Sequence, residues 1–190
     1  MQDISEDILI RACEGDLASF EEIYKASAGF VYNVALRIVN NREDAEEVTQ
    51  EVFCTIYHKL KSFRFASSFK TWVYRVTANT AINFAKKAAK HRNKMVEYDE
   101  QLTAEAALPS DIRKEMDREH NARIIEGLLN AIDPDQRACV VLRNIEGLSY
   151  QEIAQTLRIN INTVRSRLKR AREKFLAFKK RGDYERLQEI

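Results

Sequence analysis

Apolar residues recur along this chain at spacings of three and four, the repeat of one face of an α-helix. Phe20, Ile23, Tyr24, Phe30, Val31, Val34 and Ile38 follow this rule, as do Ala45, Val48, Val52, Ile56 and Tyr57. The breaks between these runs carry helix-end residues. A first helix is predicted from Ser5 to Glu14, with Gly15 as its C-cap. A second begins near Asp16 and runs to about Val39, Asn40 and Asn41 make a turn, and a third covers Arg42 to about Leu60. After an irregular stretch from Lys61 to Ser67, a fourth is predicted from Ser68 to about Lys90, with Val73, Val76, Thr80 and Phe84 inward. Four such helices make a bundle.

Periodicity fails between Asn93 and about Ile112, around Pro109, and the composition there is acidic and polar. A linker over 93–115 is therefore expected, separating a domain over 1–92 from one over 116–190. The second domain opens with a helix from about Arg118 to Ala131. The sequence DPDQ at 133–136 then predicts a helix start, with Asp133 as N-cap, Pro134 in the first position and Gln136 in the third. That helix carries Ala138, Val141, Leu142 and Ile145 and stops at Gly147.

The last third is the most informative part. Ser149 and Glu152 form a capping-box pattern, followed by a short helix burying Ile153, Ala154 and Leu157. Arg158 to Asn160 make the turn, and Asn160 can cap the next helix. That helix puts Val164, Leu168, Ala171 and Phe175 on one face. Its other faces carry Asn162, Thr163, Arg165, Ser166, Arg167, Lys169, Arg170 and Arg172. An apolar stripe for docking, backed by side chains rich in donors, suits a helix that enters a DNA major groove.

Composition narrows the class further. The 190 residues are 45% hydrophobic and 32% charged, which suits a folded soluble chain. Five glycines and two prolines favour long helices over many strands. The longest apolar runs are only a few residues, so neither a membrane span nor a signal peptide is expected, and the cytoplasm is the expected location. Cys13, Cys54 and Cys139 are far apart and lack a C-x-x-C pair, which points to reduced, mostly buried thiols. Neither they nor His58, His91 and His120 have metal spacing, so no metal or other cofactor is expected.

The net charge of +2 conceals a pattern. Residues 1–60 carry −7, residues 61–94 carry +9 with no acidic side chain, residues 95–135 carry −7, and residues 136–190 carry +7. Two basic blocks divided by an acidic one suggest two contacts with a polyanion, with the acidic blocks facing protein or solvent.

At this point a family resemblance covers nearly the whole chain. DAEEVTQEVF, from Asp44 to Phe53, resembles a pattern of bacterial sigma factors. SFRFASSFKTWVYRVTANTAINFAKK resembles the promoter-melting segment of the small extracytoplasmic-function (ECF) sigma factors of the sigma-70 family. LRNIEGLSYQEIAQTLRININTVRSRLKRAR, over 142–172, resembles the sigma domain that reads the −35 promoter element. The resemblance implies an all-α fold of two small helical domains, a four-helix region 2 bundle and a region 4 helix-turn-helix domain, joined by a flexible linker. It implies a promoter-selecting initiation factor with no catalytic chemistry of its own. The implied partners are core RNA polymerase (the β′ clamp helices and the β flap), promoter DNA and an anti-sigma factor.

Residue by residue, the resemblance assigns core polymerase binding to Asp44, Glu47, Gln50, Glu51 and Phe53, the last of which also reads as a core residue. The first, second and fourth of these share one helical face, which would otherwise read as a solvated surface. For the −10 element it points to Phe63, Arg64, Ser68, Lys70, Trp72, Arg75, Asn79, Asn83, Lys86 and Lys87. There cations track phosphates, aromatic rings stack on exposed bases and amides reach base edges. Trp72 reads equally well as a core residue. The chain departs from the family at Phe65, where glycine is common, and at Arg158, Asn160 and Asn162 in the turn. Arg165, Ser166, Lys169 and Arg170 are the candidates for −35 base contacts, and Arg167 and Arg172 for phosphates.

Other classes fit less of the chain. A dimeric helix-turn-helix repressor would leave the basic, aromatic block at 61–94 without a role. An enzyme would need a phosphate loop, a metal cluster or a nucleophile–base pair, and no such motif occurs. An anti-sigma or adaptor protein would have no use for a DNA-reading helix.

Overall fold

The computed structural model describes residues 4–95 apart from 64 and 66, and residues 125–180 apart from 126. Every regular element among them is helical. α1 spans Glu6–Glu14, α2 Leu17–Val39, α3 Arg42–Leu60 and α4 Phe69–Met95. Residues 127–130 are also helical. Then follow α5 (Pro134–Val140), a π-helical turn (Val141–Ile145), α6 (Tyr150–Leu157) and α7 (Ile161–Lys180).

Local chemistry sets the ends of the first three helices. The side chains of Ser5, Asp16 and Asn41 accept hydrogen bonds from first-turn amides, at 3.4 Å from Ile8, 3.1 Å from Ser19 and 2.9 Å from Asp44. Each satisfies a donor that the helix itself leaves unpaired. Gly15 and Asn40 terminate α1 and α2 with left-handed φ values of 103° and 58°. α4 runs past its expected end to Met95, and residues 96–115 of the expected linker lie outside the described residues. Most of the helix expected from Arg118 to Ala131 lies outside them too.

Ile23, Val31, Val34 and Ile38 of α2 meet Val48, Val52 and Ile56 of α3, all fully buried. The inner face of α4 differs from the expected one. Val73, Tyr74, Thr77, Ala78, Ala81, Ile82 and Ala85 are buried, whereas Val76, Thr80 and Phe84 are only half-buried. Small side chains at 78, 81 and 85 let α4 lie close to its neighbours, so they take the inner face. Tyr24 and Tyr57 are edge residues rather than core, each 46% exposed.

The two halves of the chain share one apolar core. Ala138, Cys139, Val141, Leu142, Ile153, Leu157 and Val164 join the cluster built by α1–α4. Asp133 occupies the N-cap position of α5, but its side chain makes no capping bond and instead meets Lys174 at 2.8 Å. Arg137, 7% exposed, crosses between the halves. Its guanidinium donates to the carbonyls of Ile38 at 3.0 Å and Val39 at 3.2 Å, and to that of Ile132 at 3.3 Å. A cation at the C-terminus of α2 also complements the helix dipole.

Carboxylates complete the contact. The π turn places Glu146, whose amide donates to the Val141 carbonyl at 3.1 Å, against the first half. Its carboxylate pairs with Arg37 at 3.2 Å and accepts from the Tyr74 hydroxyl at 2.6 Å. Burial, and then this bond to a carboxylate, raise the Tyr74 phenol well above its ordinary range, so it remains a donor. Asp135 bridges Lys86 at 2.7 Å and Arg167 at 2.9 Å, one oxygen to each.

Two predictions follow from this packing. Cys54 is exposed and should react with a thiol reagent at neutral pH. Cys139, whose thiol burial pushes up to about 11, should react only after denaturation, and half-buried Cys13, also raised by burial, should react more slowly than Cys54; equal labelling of all three would contradict the packing. Replacing Asp135 by Asn and Glu146 by Gln together should loosen the two halves, seen as a larger radius of gyration in small-angle scattering. Losing the hydrogen bonds of Glu146 alone is worth about 1–3 kcal/mol. An unchanged radius would mean that apolar contact alone fixes the arrangement.

Candidate nucleic-acid interface

The helix-turn-helix forms as its sequence predicts. Ser149 accepts from the Glu152 amide at 3.2 Å, and Glu152 accepts from the Ser149 amide at 2.7 Å. Those bonds hold the Glu152 carboxyl below its ordinary range. α6 buries Ile153, Thr156 and Leu157, while Ala154 is half-buried. The left-handed residue of the turn is Arg158, at φ 53°, rather than one of the asparagines. Asn160 instead caps α7, accepting from the Asn162 amide at 2.8 Å.

α7 docks through Val164 and Ala171, both fully buried, with Leu168 and Phe175 half-buried beside them. Asn162, Arg165, Ser166, Lys169, Arg170 and Arg172 are exposed, and Thr163 is half-buried. Arg165 donates to the Asn162 side chain at 3.0 Å, which orients its guanidinium along the outer face. The Ser166 hydroxyl bonds back to the carbonyls of Asn162 and Thr163 at 2.9 and 3.0 Å, so its free capacity is as an acceptor. Arg167 departs from the expectation of a free phosphate contact. Its side chain is only 22% exposed and is paired with Asp135.

The 61–94 block presents a second basic surface on the first half of the chain. Ser68, Lys70, Asn83, Lys86 and Lys87 are exposed, Asn79 and Trp72 are half-buried, and Arg64 lies outside the described residues. Ser68 starts α4, its hydroxyl accepting from the Thr71 amide at 3.2 Å. Arg75 is half-buried, with its Nε enclosed. Phe63 and Trp72 pack together at 5.3 Å between centroids and are half-buried, whereas Phe65, absent from the expected set, is exposed. No periodicity reports exposure inside an irregular loop, so the sequence offered no signal for that difference. A cleft of about 310 Å³ between the halves is lined by Lys70, Thr71, Tyr74, Glu146, Glu152 and Thr156, among others.

The third surface is acidic. Glu47, Gln50 and Glu51 of α3 are exposed and Asp44 is half-buried. Phe53 corrects the expectation that it joins them. It is 6% exposed and lies against Tyr24 at 4.6 Å, because its position on α3 faces α2. Basic donors thus cover α7 and α4, and carboxylates cover the outer side of α3.

Comparison with known proteins accounts for this arrangement. The sigma-70 region 2 model matches residues 23–91, and the sigma-70 region 4 model matches residues 122–175. The chain is 32% identical over 161 residues to the ECF RNA polymerase sigma factor SigE of Mycolicibacterium smegmatis, covering 83% of this chain and 60% of that one. It thus spans less than two thirds of that relative. It is 31% identical to the RNA polymerase sigma-H factor of Pseudomonas aeruginosa, covering 90% and 92% of the two chains. With the Escherichia coli ECF RNA polymerase sigma-E factor the figures are 32%, 90% and 93%. The fold is similar to that of CnrH, solved in complex with the cytosolic domain of CnrY (TM-score 0.61, 23% identity, 90% of this chain and 94% of that one). It also resembles the sigma factor RpoE of Bartonella quintana, solved with the anti-sigma factor NepR (TM-score 0.61, 22% identity, 85% and 96%). With both region models matched in order and relatives aligned over most of its length, the chain belongs to the ECF sigma factors of the sigma-70 family.

Proposed function

We propose that this chain binds core RNA polymerase and carries it to promoters whose −35 element is read by α7 and whose −10 element is held and opened by the 61–94 surface. The observation that carries this reading is the outer face of α7, where Asn162, Arg165, Lys169 and Arg170 stand exposed over a buried Val164–Ala171 stripe. Arg165 is the leading base reader because Asn162 already orients it. Arg172 supplies phosphate contacts, as do Lys70 and Lys87 on the other half. Residues 1–92 and 116–190 act as the two domains. RNA synthesis is the polymerase's chemistry; this chain contributes binding and positioning in the cytoplasm, where that polymerase acts.

Glu47 and Glu51, with Gln50 between them, form the polymerase-facing surface. An acidic helix face suits an Arg-rich protein partner and repels DNA. The β′ clamp helices are the partner proposed for this face, and the β flap the one for the second domain. A protein related in fold was solved with an anti-sigma factor, which supports such a partner here.

Reading both elements requires the two halves to part. Elements centred about 25 base pairs apart lie about 85 Å apart along B-DNA at about 3.4 Å per pair. A compact chain of this length has a radius of gyration of only about 16 Å. Parting also releases Lys86 and Arg167 from Asp135 for phosphate contacts.

Arg165→Ala should weaken −35 binding by the holoenzyme by about 1–3 kcal/mol if it reads a guanine. An unchanged footprint removes Arg165 from the reading set. Reversing charge at both Glu47 and Glu51 should abolish capture of core polymerase while the helical circular-dichroism signal stays intact. Normal capture by that variant would exclude this face as the docking site.

A further inference from the structure

The second half of the chain packs on α4, the helix that carries most of the basic 61–94 surface, through both α5 and α6. Carboxylates make the polar part of that contact. Glu146, its side chain 14% exposed, accepts from the Tyr74 hydroxyl at 2.6 Å and pairs with Arg37 at 3.2 Å. Asp135 takes Lys86 at 2.7 Å with one oxygen and Arg167 at 2.9 Å with the other. Tyr74 and Lys86 lie about 18 Å apart along α4, at about 1.5 Å per residue. Between them Arg75 and Asn79 are half-buried. Lys70 from one half and Glu152 from the other line the cleft of about 310 Å³.

Residues 61–94 carry nine basic side chains and no acidic one, so the carboxylates that meet this surface come from the other half. An ionised carboxylate and a phosphate accept the same charge-assisted bonds from lysine, arginine and hydroxyl donors. Asp135 and Glu146 thus stand where a nucleic-acid backbone would have to stand. Because they belong to the same chain, they compete at the high effective concentration of a tethered ligand. The acidic face of α3 is treated differently. Glu47, Gln50 and Glu51 remain exposed in the packed arrangement. The closed chain therefore covers one of its two working surfaces and leaves the other open.

We propose that the second half of this chain is a built-in competitive inhibitor of its own α4 surface, with Asp135 and Glu146 as stand-ins for phosphate. The latch needs no second protein. It holds α4 away from the −10 strand in the free chain, and docking of α3 on core polymerase, which the latch leaves possible, precedes its release. Polymerase thus binds first and DNA second. This inference rests on the −10 role proposed above for the 61–94 surface, and the experiment separates the two.

The probe is a labelled single-stranded oligonucleotide carrying the −10 sequence of a promoter selected in vitro, titrated at fixed ionic strength with the full chain, free or in holoenzyme. As a free chain, the double variant Asp135→Asn, Glu146→Gln should bind it about 10- to 100-fold more tightly than the parent. Asp135→Asn alone, which keeps the bonds of Glu146, should show a smaller gain in the same direction. A control with Glu21→Gln and Glu22→Gln, both exposed on α2, has the same net charge as the double variant and should bind as the parent does. In holoenzyme, where the halves are parted, parent and double variant should bind alike. Equal affinity of the free parent and both latch variants would overturn the latch. So would an equal gain in the α2 control, or a gain that persists undiminished in holoenzyme. If the parent holoenzyme does not bind the oligonucleotide, the −10 role itself fails, and this inference with it.

Discussion

A buried arginine that finds its acceptors on the other half of the chain is the constraint around which this structure is organised. Arg137 belongs to α5, yet it donates to the carbonyls of Ile38 and Val39, which belong to α2. An enclosed guanidinium without such acceptors is strongly unfavourable. The end of α2 in turn leaves carbonyls that its own helix cannot satisfy. Each half therefore supplies what the other lacks, and the shared apolar core closes around the pair. With Arg137 in place, Glu146 reaches Arg37 and Tyr74, and Asp135 reaches Lys86.

The charges used to close the molecule are of the kind it needs for DNA. Asp135 sits between one cation from each basic block, in the role a phosphate would take. Binding a polyanion there competes directly with an internal carboxylate. On the outer face of α7, Asn162, Arg165 and Arg170 remain open in the packed arrangement. The packed chain thus leaves the outer face of α7 open while Lys86 and Arg167 are engaged internally. The exposed carboxylates of α3 complete the division of labour, because like charge keeps that face off DNA.

Much of this was legible from local pattern. Ser149 announces a helix start because a short polar side chain satisfies an amide three residues on. That chemistry depends on little else in the fold. The docking stripe of α7 was equally plain, since Val164 and Ala171 fall on one face of a single helix. What stayed hidden depends on the approach of distant elements. Glu146 lies 109 positions from Arg37 and 72 from Tyr74. The acidic block ending at Asp135 was expected to face protein or solvent, and Asp135 faces this protein's own basic surface. The inner face of α4 was misread because large apolar side chains were favoured over Ala78, Ala81 and Ala85, whose small size is what brings the helices together. Phe53 was assigned to a surface by likeness of motif, while its turn of α3 points at Tyr24. In the helix-turn-helix, the left-handed angle falls on Arg158, a residue type that gives no local signal of it.

The most direct test of a two-point grip is hydroxyl-radical footprinting of a selected promoter with core polymerase and this chain, together and apart. The account predicts two protected segments about 25 base pairs apart, about 2.4 turns of the duplex at about 10.5 base pairs per turn. Unpaired bases should appear only at the downstream one, and neither component alone should give the pattern. A single continuous footprint made by the chain without polymerase would contradict it.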